Sequence, residues 1–251
     1  RSTLNSYIDH SRDEDLTYAA MEQLRGKYLV KNRKTGQIFE TPQMAFMFIA
    51  MTIFQKYPKE TRLRYVKDFY DHLSRFVISL PTPIMASVRT PKRQFSSCVL
   101  IEAGDSINSI SMTGAATMKY VANQAGIGLH VGNIRCENDE VRQGDTVHTG
   151  LVPYIRFLES AVKSCSQGGV RGGAATVYMP IFRLDIEDML VLKNTRGTAE
   201  TRVRRMDYGF QLNKVMYERL LEGGNITLFS PKDVPDLYKA FYEDTDKFRE
   251  L

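Results

Sequence analysis

Three cysteines are the residues in this 251-residue chain best suited to chemistry, and they sit in different surroundings. Cys98 lies within Arg93-Gln94-Phe95-Ser96-Ser97-Cys98-Val99-Leu100-Ile101. There, aromatic and β-branched residues alternate with small polar ones, the pattern of a short strand. Two hydroxyls precede the thiol, and Arg93 stands at the entrance. A buried strand normally places Val or Ile at such positions, so the pattern predicts a strand whose first half faces a polar cavity. A thiol held there is open to redox or nucleophilic use. The alternative is a structural cysteine, since a free Cys packs like a small hydrophobe. Cys136 falls in a polar loop and Cys165 at a helix end, and both read as structural or incidental. The count is odd and no pair has Cys-x-x-Cys spacing, which excludes a disulfide scaffold and points to a reducing, cytoplasmic setting. His10, His72, His130 and His148 form no metal-ligand spacing, so no metal site is expected.

The elements that position Cys98 follow from periodicity. Residues 1–80 read as a helical region. Asp13-Glu14-Asp15 places acids in a first helical turn. Residues 31–38 form a turn between two extended pieces, and Thr41-Pro42 opens a buried helix carrying Met44, Phe46, Met47 and Ile49. Another helix begins at Pro58 and carries Leu63, Val66, Phe69, Tyr70 and Leu73. Pro81 and Pro83 push their predecessors out of α geometry and mark a boundary. Beyond it strands and helices alternate, with four or five strands arguing for a parallel sheet. Asp105-Ser106 is a good helix N-cap, and Gly126 to Leu129 is a glycine-bounded strand. A polar loop covers residues 133–149, and Ala175 to Met179 and Ile226 to Phe229 are strands. Ser230-Pro231 opens a helix. The helices over residues 106–123 and 151–165 carry narrow apolar seams, the second through Leu151, Ile155, Leu158 and Val162. These seams predict pairing with the same helices of a second copy in a four-helix bundle.

The net charge is +5 at pH 7, with basic residues scattered rather than striped, so nucleic acid is not expected as a partner. No apolar run approaches the roughly 18 residues of a membrane span. The loop Ser166-Gln167-Gly168-Gly169-Val170-Arg171-Gly172-Gly173 is neither a Walker motif nor a dinucleotide fingerprint. Its glycines suit a switch element, or else a plain flexible connection. The chain opens at Arg1 without a methionine and stops at Leu251 within a helical pattern, so it reads as a fragment or one part of a split protein.

Several runs carry a family resemblance: Ser79-Leu80-Pro81-Thr82-Pro83-Ile84-Met85, the Cys98 stretch followed by Gly104-Asp105-Ser106, and Lys163 through Thr176. Leu190-Val191-Leu192-Lys193-Asn194, Arg205-Met206-Asp207-Tyr208-Gly209 and Ile226 through Pro231 extend it. Together they resemble the large subunit of class I ribonucleotide reductase, of the bacterial and T-even-like phage type. The resemblance implies an α/β fold in which a helical N-terminal region (1–80) precedes the first half of a ten-stranded α/β barrel (81–251). The regulatory nucleotide-binding cone and the second half-barrel lie outside this stretch. The implied activity is reduction of ribonucleoside diphosphates. A thiyl radical on a cysteine of the second half removes the ribose 3′ hydrogen and the 2′ hydroxyl leaves as water. Two redox thiols, one of them Cys98, then become a disulfide. A thiol suits this role because it is re-reduced by exchange.

The same resemblance places Thr82, Ser97 and Gly126 at the substrate, and Asp105, Ser106, Ile107, Arg135 and Arg142 at a deoxynucleoside triphosphate or ATP effector taken up with Mg²⁺. It assigns Gly168, Gly169, Arg171 and Gly172 to a specificity loop between effector and substrate. A guanidinium forms forked charge-assisted bonds to phosphate; a solvated loop charge is the plainer reading of both arginines. Implied partners are a metal-containing, radical-generating small subunit, the second half of the large subunit, a second copy of the chain, and thioredoxin or glutaredoxin as reductant. One departure stands out. Cys136-Glu137-Asn138-Asp139-Glu140 is more acidic than a triphosphate site would favour, unless its carboxylates turn away or engage Mg²⁺. Two alternatives stand beside it: an adenosylcobalamin-dependent reductase, which the length and continuity of the matched runs disfavour, and a non-catalytic nucleotide-binding regulatory fragment. A downstream Asn-x-Cys-x-Glu motif would decide for the enzyme.

Overall fold

A computed structural model describes residues 2–167 and 171–250 and divides into two compact units, Arg1–Ser97 and Cys98–Leu251. The first unit is helical: α1 Ser2–Asn5, a 3-10 turn His10–Asp15, α2 Tyr18–Gln23 running into a π turn, α3 Pro42–Ile53, α4 Lys59–Ser74 and α5 Thr82–Ser87. Helix α3 starts as its sequence dictates, with the Thr41 hydroxyl accepting from Met44 N and Pro42 in the first turn. Its Phe46, Met47, Ile49 and Ala50 pack on Val66, Tyr70 and Leu73 of α4. Tyr70 is fully buried but satisfied: its hydroxyl donates to Gln43 Oε1 at 2.9 Å and accepts from Asp9 N at 3.0 Å. The Lys31–Ile38 bridge closes the expected turn.

Two local expectations are corrected in this unit. Asp13 to Asp15 complete the 3-10 turn rather than opening α2, because Thr17 caps α2 by accepting from Ala20 N. The prolines at 81 and 83 start a helix instead of holding an extended boundary. Pro81 is its N-cap, and Pro83 sits in the first turn, where its missing N–H leaves nothing unpaired.

The second unit is built on four parallel strands: β1 Cys98–Glu102, β2 Gly126–His130, β7 Ala175–Pro180 and β8 Asp207–Gln211, in the spatial order β1-β2-β7-β8. Two small antiparallel ladders lie outside the sheet, β3 Glu140–Val141 with β4 Thr146–Val147, and β5 Ser166–Gln167 with β6 Arg171–Gly172. The helices are α6 Ile107–Ala122, α7 Leu151–Lys163, α8 Ile186–Leu190, α9 Lys214–Glu222, α10 Pro235–Glu243 and α11 Thr245–Glu250. A helical region followed by an α/β region with a parallel sheet is the architecture expected. The sheet is not closed into a barrel.

Three sequence expectations fail in this unit. Strand β1 begins at Cys98, so Arg93 to Ser97 form no strand; the ladder starts only where Cys98 pairs with Gly126, the first residue of β2. Ile226 to Phe229 make a single bridge, Phe229 to Arg183. The fourth strand is instead Asp207–Gln211, concealed in the sequence because Asp and Gly are poor strand formers. After Ser230 comes a turn, and the helix starts at Pro235.

Strand periodicity gives the sheet two unlike faces. Val99, Ile101, Ile127, Leu129, Ala175, Val177, Met179, Tyr208 and Phe210 lie on the face covered by α6 and α7 and form the core with Ile110, Val121, Ile155, Leu158 and Val162. The opposite face carries Cys98, Leu100 and Glu102 on β1, in register with Gly126, Gly128 and His130 on β2. It is open: Leu100 is 83% exposed. This arrangement corrects one of the two expected helix seams, that of α7, while the α6 stripe keeps Ile107 and Met118 exposed. Leu151, Ile155, Leu158 and Val162 are all fully buried against the subunit's own sheet, so they cannot meet a second copy.

Gly173 ties the base of the glycine loop to α7. Its carbonyl accepts from Lys163 Nζ at 2.8 Å, and a Cβ built on it would lie 2.1 Å from the Val162 carbonyl oxygen. Backbone cannot move aside as a side-chain tip can. Gly173→Ala is therefore expected to destabilise this unit by about 1–3 kcal/mol or more, the usual cost of overpacking. Denaturant unfolding measures it, and an unchanged midpoint would contradict the packing described.

Candidate functional site

Apart from Thr82, Ser97 and the glycine loop, the site residues gather at two places in the second unit. The first is the N-terminal edge of the sheet's open face. Cys98 is an exposed free thiol, and its backbone neighbour across the ladder is Gly126. With no side chain at Gly126, nothing on β2 screens the thiol from that side. Ser97, immediately before it, is half-buried, while Thr82 belongs to α5 of the helical unit, where its hydroxyl lies 3.3 Å from that of Tyr28. The expected polar enclosure around Cys98 is thus an open strand end. The other two thiols differ from it. Cys136 is fully buried, its Sγ donating to Asp185 Oδ1 at 3.7 Å, and burial pushes its pKa up, away from the reactive thiolate. Cys165 is half-buried just beyond α7.

The second place is a cavity of about 340 Å³ at the start of α6. Asp105, Ser106, Ile107, Arg135 and Arg142 all line it, joined by His148, Thr149 and Tyr154. Ser106 caps α6 through Ser109 N, directing the helix N-terminus at the cavity. Asp105 is already engaged: its Oδ1 accepts from Arg135 N at 3.1 Å and its Oδ2 from Arg135 Nε at 2.8 Å. This bond holds the Arg135 guanidinium above its ordinary pKa. Arg142 has a left-handed backbone, φ 52°, in the β3–β4 turn, and its side chain makes no hydrogen bond or ion pair among the described residues. His148 stacks on Tyr154 at 5.3 Å and accepts from Gly150 N through Nδ1; burial lowers its pKa, so the ring is neutral at pH 7.

The acidic loop has a structural answer. Asp139 turns inward, accepting from Cys136 N at 2.6 Å and from the Ser230 hydroxyl, and neither Glu137 nor Glu140 lines the cavity. The polar loop of the sequence reading therefore contains the β3–β4 hairpin that carries Arg142 to the cavity. In the glycine loop, Gly168 and Gly169 lie outside the described residues, as does the Arg171 side chain; Gly172 sits exposed on β6.

Sequence reasoning missed a third grouping on the open face. A cavity of about 670 Å³ is floored by Leu100, Gly128 and Tyr178 and edged by Glu102, His130, Asn133, Gln211 and Tyr242. The Tyr242 hydroxyl lies 2.8 Å from His130 Nε2 and donates to Gln211 Oε1 at 2.8 Å. Burial lowers the His130 pKa and raises that of Tyr242. The only signal in the sequence was β2's alternation, which put His130 on the same face as Gly126.

An open parallel α/β sheet with a free thiol at the N-terminal end of one strand, and a cavity beyond the other end of that strand lined by two arginines and a helix N-terminus, defines an α/β domain with a site suited to phosphate. The description "Ribonucleotide reductase, barrel domain" matches residues 96–251, and "Ribonucleotide reductase, all-alpha domain" matches residues 14–93. This chain belongs to the ribonucleotide reductase large-subunit family. It is 60% identical over 249 residues to the ribonucleoside-diphosphate reductase subunit alpha of Haemophilus influenzae, covering 99% of this chain and 33% of that protein. It is 57% identical to the subunit alpha of ribonucleoside-diphosphate reductase 1 from Escherichia coli, and 53% to the subunit alpha from Enterobacteria phage T4, again across 99% of this chain and 33% of each relative. The chain thus spans about a third of the length of these relatives.

Proposed function

We propose that this chain is part of the catalytic subunit of a ribonucleoside-diphosphate reductase, with Cys98 as one of its two redox thiols. The observation that carries the reading is the position of Cys98: an exposed free thiol opening β1, in register with Gly126 on the uncovered face of a parallel sheet. In the reaction, the substrate's 2′ hydroxyl leaves as water. Two thiols, Cys98 and a cysteine outside this stretch, give up two electrons and two protons and form a disulfide, so that diphosphate plus dithiol yields deoxynucleotide, water and disulfide. Thr82, Ser97 and Gly126 line the substrate. A radical-generating small subunit supplies the radical, and thioredoxin or glutaredoxin resets the disulfide by exchange.

The cavity at Asp105 is the proposed effector site for a deoxynucleoside triphosphate or ATP. Arg135, Arg142 and the N-terminus of α6 offer donors to phosphate, and Ile107 an apolar contact. Its one lining carboxylate, Asp105, already accepts from Arg135, so Mg²⁺ is best brought in on the phosphates themselves. Gly168, Gly169, Arg171 and Gly172 are proposed to pass the effector's identity to the substrate side. The open sheet face, with Leu100 bare, suits cover by the second half of the large subunit. A dimer contact is better placed on the outward residues Ile107 and Met118 of the α6 stripe, with Met112 and Phe157, than on the buried α7 seam. We propose two parts for this function, a helical region and a first half-barrel, in a cytoplasmic protein; the boundary expected after residue 80 is drawn instead between Ser97 and Cys98, because α5 belongs to the helical unit. No helix among the described residues is long and apolar enough to cross a membrane.

The test is direct. The full polypeptide that carries this chain, with small subunit, a dithiol and a triphosphate effector, is expected to convert cytidine diphosphate to its deoxy form. Absence of product under these conditions, with an active small subunit shown by its radical signal, overturns the reading.

A further inference from the structure

We infer that the buried Arg183–Asp185 pair is a positioning device for the effector cavity: it fixes the segment Gly132–Cys136 that presents Arg135. Arg183 is 1% exposed, among the most deeply buried large side chains described, and it lies far from Cys98 in sequence, in the connection after β7. Four of its bonds are accounted for. Nε and Nη2 form a fork on Asp185 at 2.8 and 2.9 Å. Nη1 donates to two carbonyls of the same segment, Gly132 O at 2.8 Å and Ile134 O at 2.7 Å. Those carbonyls sit on either side of Asn133 and immediately before Arg135.

The far end of the segment has a further anchor. Cys136 N donates to Asp139, which the Ser230 hydroxyl also holds, and the Cys136 thiol points at Asp185. Gly132 is close-packed as well, since a Cβ there would meet the Tyr238 hydroxyl at 2.6 Å and Pro180 at 2.7 Å. Ile134 within the segment is fully buried, as is Val131 just before it. Only two polar side chains leave it, in different directions: Asn133 to the open-face cavity and Arg135 to the effector cavity.

A buried ion pair is a poor source of net stability, because desolvation offsets most of the attraction. What this one offers is geometry. A guanidinium has five donors in a fixed plane, enough to hold a carboxylate and two carbonyls at once, and a lysine ammonium cannot reproduce that pattern. Arg183 therefore sets where the backbone of Arg135 sits, and through it the Arg135–Asp105 contact at 2.8 Å that shapes the cavity wall.

The inference rests on the effector reading of that cavity, and the test separates the two. Binding of dTTP to the full polypeptide is measured by calorimetry for the unaltered protein, Arg135→Ala, Arg183→Lys and Ser230→Ala. The Arg135 Nε–H signal is followed by NMR as a readout that needs no nucleotide. Arg183→Lys keeps the charge beside Asp185 and is expected to weaken dTTP binding about tenfold, and to move the Arg135 Nε–H signal toward that of a free guanidinium. Ser230→Ala, which removes one hydroxyl and its bond to Asp139, loosens the other end and is expected to weaken binding a few-fold with a smaller shift of the same signal. If Arg135→Ala loses dTTP while a folded Arg183→Lys and Ser230→Ala both bind like the unaltered protein with the Arg135 signal unmoved, the positioning role is overturned and the effector reading stands. If the unaltered protein does not bind dTTP, the effector reading falls, and the Arg135 signal alone decides whether Arg183 positions that residue.

Discussion

Cys98→Ser in the full enzyme is expected to reduce dithiol-dependent turnover to background while leaving effector binding unchanged. A serine occupies nearly the same space at the head of β1, so the sheet register Cys98–Gly126 is retained and the protein folds. The hydroxyl cannot form a disulfide, so the two electrons that the substrate needs have no source on this strand. The effector cavity is lined by none of the residues around Cys98; its lining begins at Asp105, beyond the end of β1. Binding of dTTP is therefore expected to match the unaltered protein. The matched controls are Cys136→Ser and Cys165→Ser. Cys165→Ser is expected to turn over normally. Cys136→Ser is expected to lose some stability, because its thiol is fully buried beside Asp185, without losing the ability to cycle. Turnover by Cys98→Ser at the unaltered rate would end the redox assignment.

The second large effect falls on the arginines of the proposed effector cavity. Removing a charge-assisted bond to phosphate costs about 1.5–3 kcal/mol, roughly a tenfold to hundredfold loss of affinity. The structure separates the two residues. The Arg142 side chain makes no hydrogen bond or ion pair among the described residues, so Arg142→Ala removes the proposed phosphate contact and little else. Arg135 also neutralises Asp105 through both its side chain and its backbone N–H. Arg135→Ala leaves that carboxylate facing the triphosphate, and repulsion adds to the lost contact. Arg135→Ala is therefore expected to show the larger loss of dTTP affinity, and Arg142→Ala a loss nearer tenfold. Calorimetry on the two variants checks the order; normal binding by both would remove the effector assignment.

These expectations show what the sequence carried and where it stopped. Elements set by local chemistry were legible: Thr41-Pro42 opens α3, Ser106 caps α6, and the glycine-bounded run at Gly126 is β2. Elements set by partners elsewhere were not. Asp207–Gln211 forms a strand because β7 offers it a ladder, against the preference of its Asp and Gly. Ile226 to Phe229 have strand composition but find only Arg183 to bridge. The α7 seam read as a dimer face because periodicity reports that a stripe is buried, not what buries it; here the sheet does, whereas Ile107 and Met118 of the α6 stripe stay exposed. At the site, Asp105, Ser106, Ile107, Arg135 and Arg142 were named from family resemblance, and they share one cavity. Arg183 and Asp185 carried no signal, because a buried arginine looks in sequence like any surface one. The inward turn of Asp139, which answers the acidic loop, depends on Ser230 and could not be read from residues 136–140 alone.

The central claim is that Cys98 is oxidised once for each substrate reduced. It is tested by a single turnover of the full enzyme, prereduced and freed of external dithiol, with cytidine diphosphate and dTTP or ATP, followed by thiol trapping and mass spectrometry of the peptides holding Cys98, Cys136 and Cys165. The account predicts that the peptide with Cys98 is recovered as a disulfide in proportion to the deoxycytidine diphosphate formed, with Cys136 and Cys165 still free. Product formation with Cys98 recovered as a free thiol would contradict it.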